Sequence, residues 1–298
     1  MPKRIALLSV FVLMGLSCLP ASVSAQALVP YTLQLDATEL EQQGLSLLQD
    51  AVHLAQFQQF ERALPTAQLS TQLAPKNFKT WFLLGTLYVQ AKELDKGIEA
   101  LQKSRSLAPN ESGVLFSLGS AYFQKGDYTT SASMIETGLK LKPDLPEAWF
   151  DLGNAYYMLG KFPDAIAQYE KAVKKEPKFW PAINNVGLVK YETGDLEAAI
   201  RQWETAIAIN KQEKKEETEP QLALAVALYA KGDRDRALAL GEAAIKLDSR
   251  YADLKFLKEN LWGNRLLGET KKFLETPKIQ ATIAEAKNQS SEPQLIPR

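Results

Sequence analysis

The stretch Pro146–Phe179, PEAWFDLGNAYYMLGKFPDAIAQYEKAVKKEPKF, decides the fold. Apolar and small residues recur at Trp149, Leu152, Gly153 and Tyr156, and again at Ala165, Tyr169 and Ala172. Spacings of three, four and seven put each group on one stripe of an α-helix. Gly160 lies between the groups, where a left-handed backbone costs a glycine nothing. Pro177 stops the second helix, since it lacks an N–H and its ring clashes with the preceding turn. The stretch therefore predicts a helix–turn–helix unit of 34 residues.

The unit recurs. Stop prolines fall at Pro75, Pro109, Pro143 and Pro177, and turn glycines at Gly126, Gly160 and Gly194, each 34 residues apart. A fixed period of this length marks a stacked array in which each unit buries its apolar stripe against its neighbours. Residues 112–145 repeat the pattern with Leu115, Leu118, Gly119, Tyr122, Ser131 and Ile135, and residues 78–111 with Trp81, Leu84, Gly85, Tyr88, Leu101 and Ser104. Residues 180–213 carry Ile183, Val186, Gly187, Ala199, Trp203 and Ala206, with Lys211 in place of the stop proline. The flanking units, 44–77 and 218–251, are degenerate: Asp50 stands where a buried Leu is expected, and Gly241 where an aromatic is expected. Before the last unit four extra residues fall in the mixed-charge run 211–219.

At all eight signature positions, residues 146–179 resemble the tetratricopeptide repeat (TPR). The resemblance implies an all-α, right-handed superhelical solenoid of about six TPR helix pairs. A stack of pairs leaves its last apolar face open. The one-sided pattern Leu254, Leu257, Leu261, with Lys255, Lys258 and Glu259 opposite, predicts an amphipathic C-terminal capping helix over 252–275. A short helix over 278–287 and a disordered tail, 288–298, complete the expectation.

Residues 1–25 read as a secretory signal. Lys3 and Arg4 precede the apolar run Ile5–Leu19, and Val23-Ser24-Ala25 has small residues at a cleavage site. An uncleaved anchor is the competing reading, though the run is short for a membrane span. A lipoprotein signal at Cys18 lacks the usual Leu three residues earlier, where Gly15 stands. Export to a periplasm, or to a thylakoid lumen in a photosynthetic cell, is the expectation. A leader, 26–43, reaches into the first helix, whose start is expected at Thr38 from the capping-box spacing Thr38-Glu-Leu-Glu41.

Cleavage removes the one cysteine, so no disulfide is expected. Loss of Lys3 and Arg4 lowers the basic count from 35 to 33, against 35 acidic residues. No basic excess is left to neutralise phosphates, and a nucleic-acid partner is not expected. His53, the single histidine, sits in the weakest repeat without Cys or a carboxylate cluster beside it, and reads as an ordinary helix residue. There is no glycine-rich phosphate loop and no nucleophile elbow. These observations argue against an enzyme, a cofactor, a metal or a small-molecule substrate.

The resemblance implies instead a groove for another protein or peptide. In TPR stacks the first helix of each unit lines the concave face, and positions 2, 5, 9, 12 and 13 meet ligands. Position 5 holds Phe82, Phe116 and Phe150 in successive units, and position 12 holds Phe123, Tyr157 and Tyr191. These rows either contact a ligand or pack against the neighbouring helix. Asn154, Asn184 and Asn185 supply amides that both donate and accept, which suits an extended backbone. The Lys and Asn pair of TPR carboxylate clamps is absent: Phe82, Thr86, Phe116 and Ser120 occupy those places. The resulting expectation is a scaffold that holds a partner segment during assembly of an envelope or photosynthetic membrane complex. The alternative is a permanent structural subunit of a membrane-associated complex. If the rings contact ligand, Phe150→Ala with Tyr157→Ala leaves melting nearly unchanged while weakening partner capture.

Overall fold

The computed structural model describes residues 36–213 and 217–291; residues 1–35, 214–216 and 292–298, which include the whole signal segment and most of the expected tail, lie outside the described residues. The chain enters α1 (Ala37–Gln56) through Asp36, whose carboxylate accepts the Thr38 N–H, one of the donors that an open helix start leaves unpaired. The cap is thus Asp36, two residues before the position expected from the Thr38 box.

Hairpins of helices follow one another: α1 with α2 (Phe60–Leu73), α3 (Phe78–Gln90) with α4 (Leu94–Leu107), α5 (Ser112–Lys125) with α6 (Tyr128–Leu141), α7 (Pro146–Met158) with α8 (Phe162–Lys175), α9 (Trp180–Glu192) with α10 (Leu196–Gln212), and α11 (Thr218–Lys231) with α12 (Arg234–Leu247). Each second helix packs on the first helix of the next hairpin. The result is an all-α solenoid of six pairs.

The turns inside the hairpins share one geometry. Gly126, Gly160, Gly194 and Gly232 all have positive φ, from 71° to 100°. In the first two hairpins Gln58 and Lys92 stand at the equivalent places, with φ of 58° and 63°. Those two residues tolerate the conformation because the flanking backbone closes on itself: Gln59 N–H donates to Leu54 O and Glu93 N–H to Tyr88 O, the long bond of a left-handed helix stop.

What sets the distance between the paired helices is a small-against-large contact. A Cβ on Gly153 would lie 2.4 Å from the ring of Tyr169. The same fit pairs Gly187 with Trp203, Gly119 with Ile135 and Gly85 with Leu101. Tyr169, Trp203 and Leu101 are fully buried.

The C-terminal segment departs from the expected single capping helix. It forms a 3-10 turn (Ser249–Ala252), α13 (Leu254–Glu259) and α14 (Asn264–Leu274). The break falls at Asn260–Gly263, where Leu261 takes φ 67° and Gly263 has no room for a side chain: a Cβ there would lie 2.2 Å from the Glu192 carboxyl carbon. The end of the stack is closed by α15 (Pro277–Ser291), which packs on α12, whereas α14 lies on α11 and α9. The last helix runs to Ser291, past the expected limit at 287, because no Gly or Pro interrupts the chain before Pro293.

Gly153→Leu is expected to lower stability by about 3 kcal/mol or more, since the added side chain has nowhere to go but into the Tyr169 ring. Gly268→Ala in α14, whose Cβ would meet nothing within 4 Å, is expected to be neutral or stabilising by about 0.5–1 kcal/mol. Denaturant unfolding of both variants tests this pairing; equal stabilities would mean that the helix spacing is not set by this contact.

Candidate peptide groove

The first helices of successive hairpins touch one another, α1 with α3, α3 with α5 and α5 with α7. They therefore form one continuous wall, the inner face of the curve. The two halves of that wall differ.

Over the first repeats it is open and apolar. A cleft of about 400 Å³ is lined by Leu48, Val52, Phe78, Phe82, Leu83 and Val114. Val52 is 38% exposed. Phe82 lies half-buried at its floor, backed by Ile98 and Leu101. A second cleft, about 720 Å³, opens where Phe123, Tyr128 and Met158 meet Lys255, Lys258 and Leu261. Phe123 stacks edge-on against Tyr128, with centroids 5.2 Å apart. Of the nine groove candidates, Phe82 and Phe123 are the ones that line these clefts.

The other seven are taken up by the stack. The Phe116 ring lies over Gly138 of α6, so close that a Cβ on that glycine would be 2.5 Å away. Phe150 sits between Tyr169 and Phe179, at 5.8 and 5.4 Å. Tyr157 is buried against Phe162, and desolvation, helped by the charge of Glu192, pushes its hydroxyl well above the usual tyrosine range. The amides bond to each other and not to open groove. Asn154 Oδ1 accepts from Tyr169 Oη at 2.8 Å and from Asn185 Nδ2 at 2.8 Å, while Asn184 Nδ2 donates to Asn185 Oδ1 at 3.1 Å. This buried ladder joins α7 to α9. Tyr191, 3% exposed, packs on Trp203 and under Arg265. His53 lies exposed on α1 beside Phe57.

Over α9 and α11 the wall is covered. Leu188, Leu222 and Val226 stand at its groove positions and are all but fully buried, in one cluster with Trp262, Leu266 and Phe273 of the C-terminal arm. The arm is held by polar contacts as well. Glu192 accepts the backbone N–H groups of Arg265 and Leu266, at 3.1 and 2.9 Å, and so caps the start of α14. Trp262 Nε1 donates to Glu219 at 3.2 Å. The Arg265 guanidinium lies 5.6 Å over the Tyr191 ring. Glu219 and Glu192 occupy positions 2 and 13 of their units, so the repeat register alone marks them as groove residues; the arm that meets them has no register. Desolvation pushes Glu219 up to about 7, against the pull of hydrogen bonds from Asn184 and Trp262. Asp151 on α7 rises to about 6, through desolvation and then repulsion from Glu147.

Among the described residues no group of three or more His, Cys, Asp or Glu is placed to hold a metal ion, and no helix is long and apolar enough to cross a membrane.

These features define a helical-repeat protein with an inner wall of first helices. The tetratricopeptide-repeat family matches the chain at residues 116–182, 157–214 and 185–252. Residues 21–110 also match the ChAPs, or Chs5p-Arf1p-binding proteins. Among solved structures, the fold is similar to PilW, described as a widely conserved type IV pilus biogenesis factor, with a TM-score of 0.63 and 17% identity over 81% of this chain and 99% of that one. It is similar to MamA, with a TM-score of 0.52 and 23% identity over 56% of this chain and 97% of that one. It is also similar to YrrB, described as a TPR protein with an unusual peptide-binding site, with a TM-score of 0.52 and 18% identity over 66% and 98%. No curated protein matches the sequence.

Because Phe150 and Tyr157 pack inside the stack, the double variant Phe150→Ala/Tyr157→Ala is expected to lose on the order of 4 kcal/mol. Unchanged thermal melting would return both rings to the ligand surface. The pH dependence follows from Glu219. Its carboxyl holds the proton more tightly folded than unfolded, rising from 4.5 to about 7, so its contribution is complete below pH ~4.5 and is lost as pH climbs through ~7. Each tenfold gain in proton affinity is worth about 1.4 kcal/mol, so the loss is at most about 3.5 kcal/mol. Glu219→Gln keeps an acceptor for Trp262 and flattens the slope. Urea unfolding at pH 5 and pH 8 reads the difference, and an identical slope in the variant would count against this assignment.

Proposed function

We propose that the protein is a non-catalytic interaction scaffold, which acts outside the cytoplasm and holds a segment of another protein during assembly of an envelope or photosynthetic membrane complex. The observation that carries this reading is the open apolar cleft along Leu48, Val52, Phe82 and Leu83 on the inner wall. Aromatic and aliphatic anchors in such a cleft supply most of the energy of a peptide contact, and the one exposed histidine offers no catalytic partner set. The pilus biogenesis role printed for PilW and the peptide-binding site printed for YrrB belong to those proteins; they support a scaffold role here by analogy of fold. The leader with its basic start, apolar run and Val23-Ser24-Ala25 supports export.

The alternative, a permanent subunit of a membrane-associated complex, is favoured by the exposed leucines of the second helices, Leu69, Leu107, Leu141 and Leu247. A photo-crosslinking residue at Val52 or at Leu107, in the native cell, separates the two. Discrete partners crosslinked from Val52, lost when Leu48→Lys puts a charge in the cleft and absent from Leu107, support the groove. Partners from Leu107 alone support the structural subunit, and none from either position would end the scaffold reading. Fractionation of the same cells tests export: an uncleaved chain in the cytoplasmic fraction would refute it.

A further inference from the structure

The groove positions that stand open in the first repeats are filled in the last two by the chain's own residues. The contacts concentrate within Trp262–Leu266: an indole N–H on Glu219, two backbone N–H groups on Glu192, a guanidinium over Tyr191, and Leu266 against the apolar floor. Gly263 lets the backbone lie against Glu192, whose carboxylate a side chain there would displace. This is how a peptide ligand would be read, with carboxylates for N–H groups, an aromatic face for the guanidinium, and aliphatic pockets for the rest.

We propose that the wall of α9 and α11 is a second recognition site, specific for partner segments that carry an indole, then glycine, then a guanidinium three residues after the indole, and that Trp262–Leu266 is its resident occupant. The proposal rests on the reading of the concave face as a peptide site. The occupant follows the six-residue α13 and the helix stop at Leu261, which like those at Gln58 and Lys92 is closed by a long backbone bond, here Trp262 N–H to Leu257 O. The end cap α15 packs on α12 and also meets α14, where Gln280 Nε2 donates to Leu274 O. A partner must still outcompete a tethered segment, whose effective concentration lies in the millimolar range. Loosening the resident therefore exposes the preference of the site.

The probe is a fluorescent synthetic peptide of residues 257–274, titrated by anisotropy into the full chain. Wild type is expected to bind it weakly. Trp262→Ala/Arg265→Ala is expected to bind it at least tenfold more tightly, and addition of Glu192→Gln to reverse most of that gain. A peptide with both Trp262 and Arg265 replaced by Ala is expected not to bind. Should the double variant fail to fold by circular dichroism, Arg265→Ala alone serves, because that side chain is exposed; the expected gain is then about threefold. Folded variants that bind no better than wild type, or equal binding of the control peptide, would overturn the proposal. Sedimentation showing that wild type pairs by exchanging arms would also overturn it, and would assign the site to a second copy of the chain. Crosslinking at Val52 is independent of the arm, so its loss would strike the scaffold reading at the open cleft and leave this peptide result standing.

Discussion

On four of the six first helices a glycine faces a larger side chain on the partner helix, and this contact governs the spacing of the stack. Gly153 with Tyr169 and Gly187 with Trp203 let two backbones approach until a Cβ would fall inside the opposite ring. Interiors packed to this density transmit shape from one element to the next. Fixing the distance within one hairpin fixes the surface it offers to the following hairpin, and so the curve of the wall. The last hairpin inverts the arrangement. Ala225 takes the glycine's place and Gly241 the aromatic's. The missing ring comes from Phe273, whose Cζ would lie 2.4 Å from a Cβ on Gly241, with Tyr229 beside it at 5.4 Å. The hairpin that lacks its own plug takes it from the arm.

That substitution draws α14 across the inner face and divides the wall. Toward the N-terminal end the groove positions meet open clefts. Toward the C-terminal end they meet Trp262, Leu266 and Phe273. The middle, α7 and α9, is neither: Asn154, Asn185 and Asn184 link the two helices through buried amides. The ladder thus ties the middle of the wall together, between an open cleft and a covered one.

Much of this was legible in the sequence, and the exceptions have physical reasons. The 34-residue steps of Pro75, Pro109, Pro143 and Pro177 and of the turn glycines mark the hairpins, their order and their count, because stops and turns act locally. Asp50, expected to disturb the first repeat, is exposed on α1, and the burial there falls on Ala51. The rings at positions 5 and 12 share the same spacing whether they face a ligand or a neighbouring helix. Gly138 beneath Phe116 and Phe179 beside Phe150 settle those two cases, and neither is part of the repeat signature. The arm reads as one helix in sequence because Leu254, Leu257 and Leu261 keep helical spacing up to the break. Its partners Glu219 and Glu192 lie 43 to 74 residues away, beyond any local pattern. One trace was visible: a glycine at an aromatic position leaves a hole that something must fill.

The charges of the covered wall follow from the same geometry. Glu192 faces two backbone N–H groups at a helix start. Glu219 meets one indole N–H and one amide in a desolvated place, and its affinity for the proton rises. Two acidic residues thus meet the same arm through different donors. The first secures the start of α14 through its backbone, which many sequences would satisfy. The second discriminates, because a single donor, the indole, reaches it from the arm. Selectivity on this wall therefore resides at Glu219 and Tyr191, and the grip on the arm at Glu192 and the aliphatic floor.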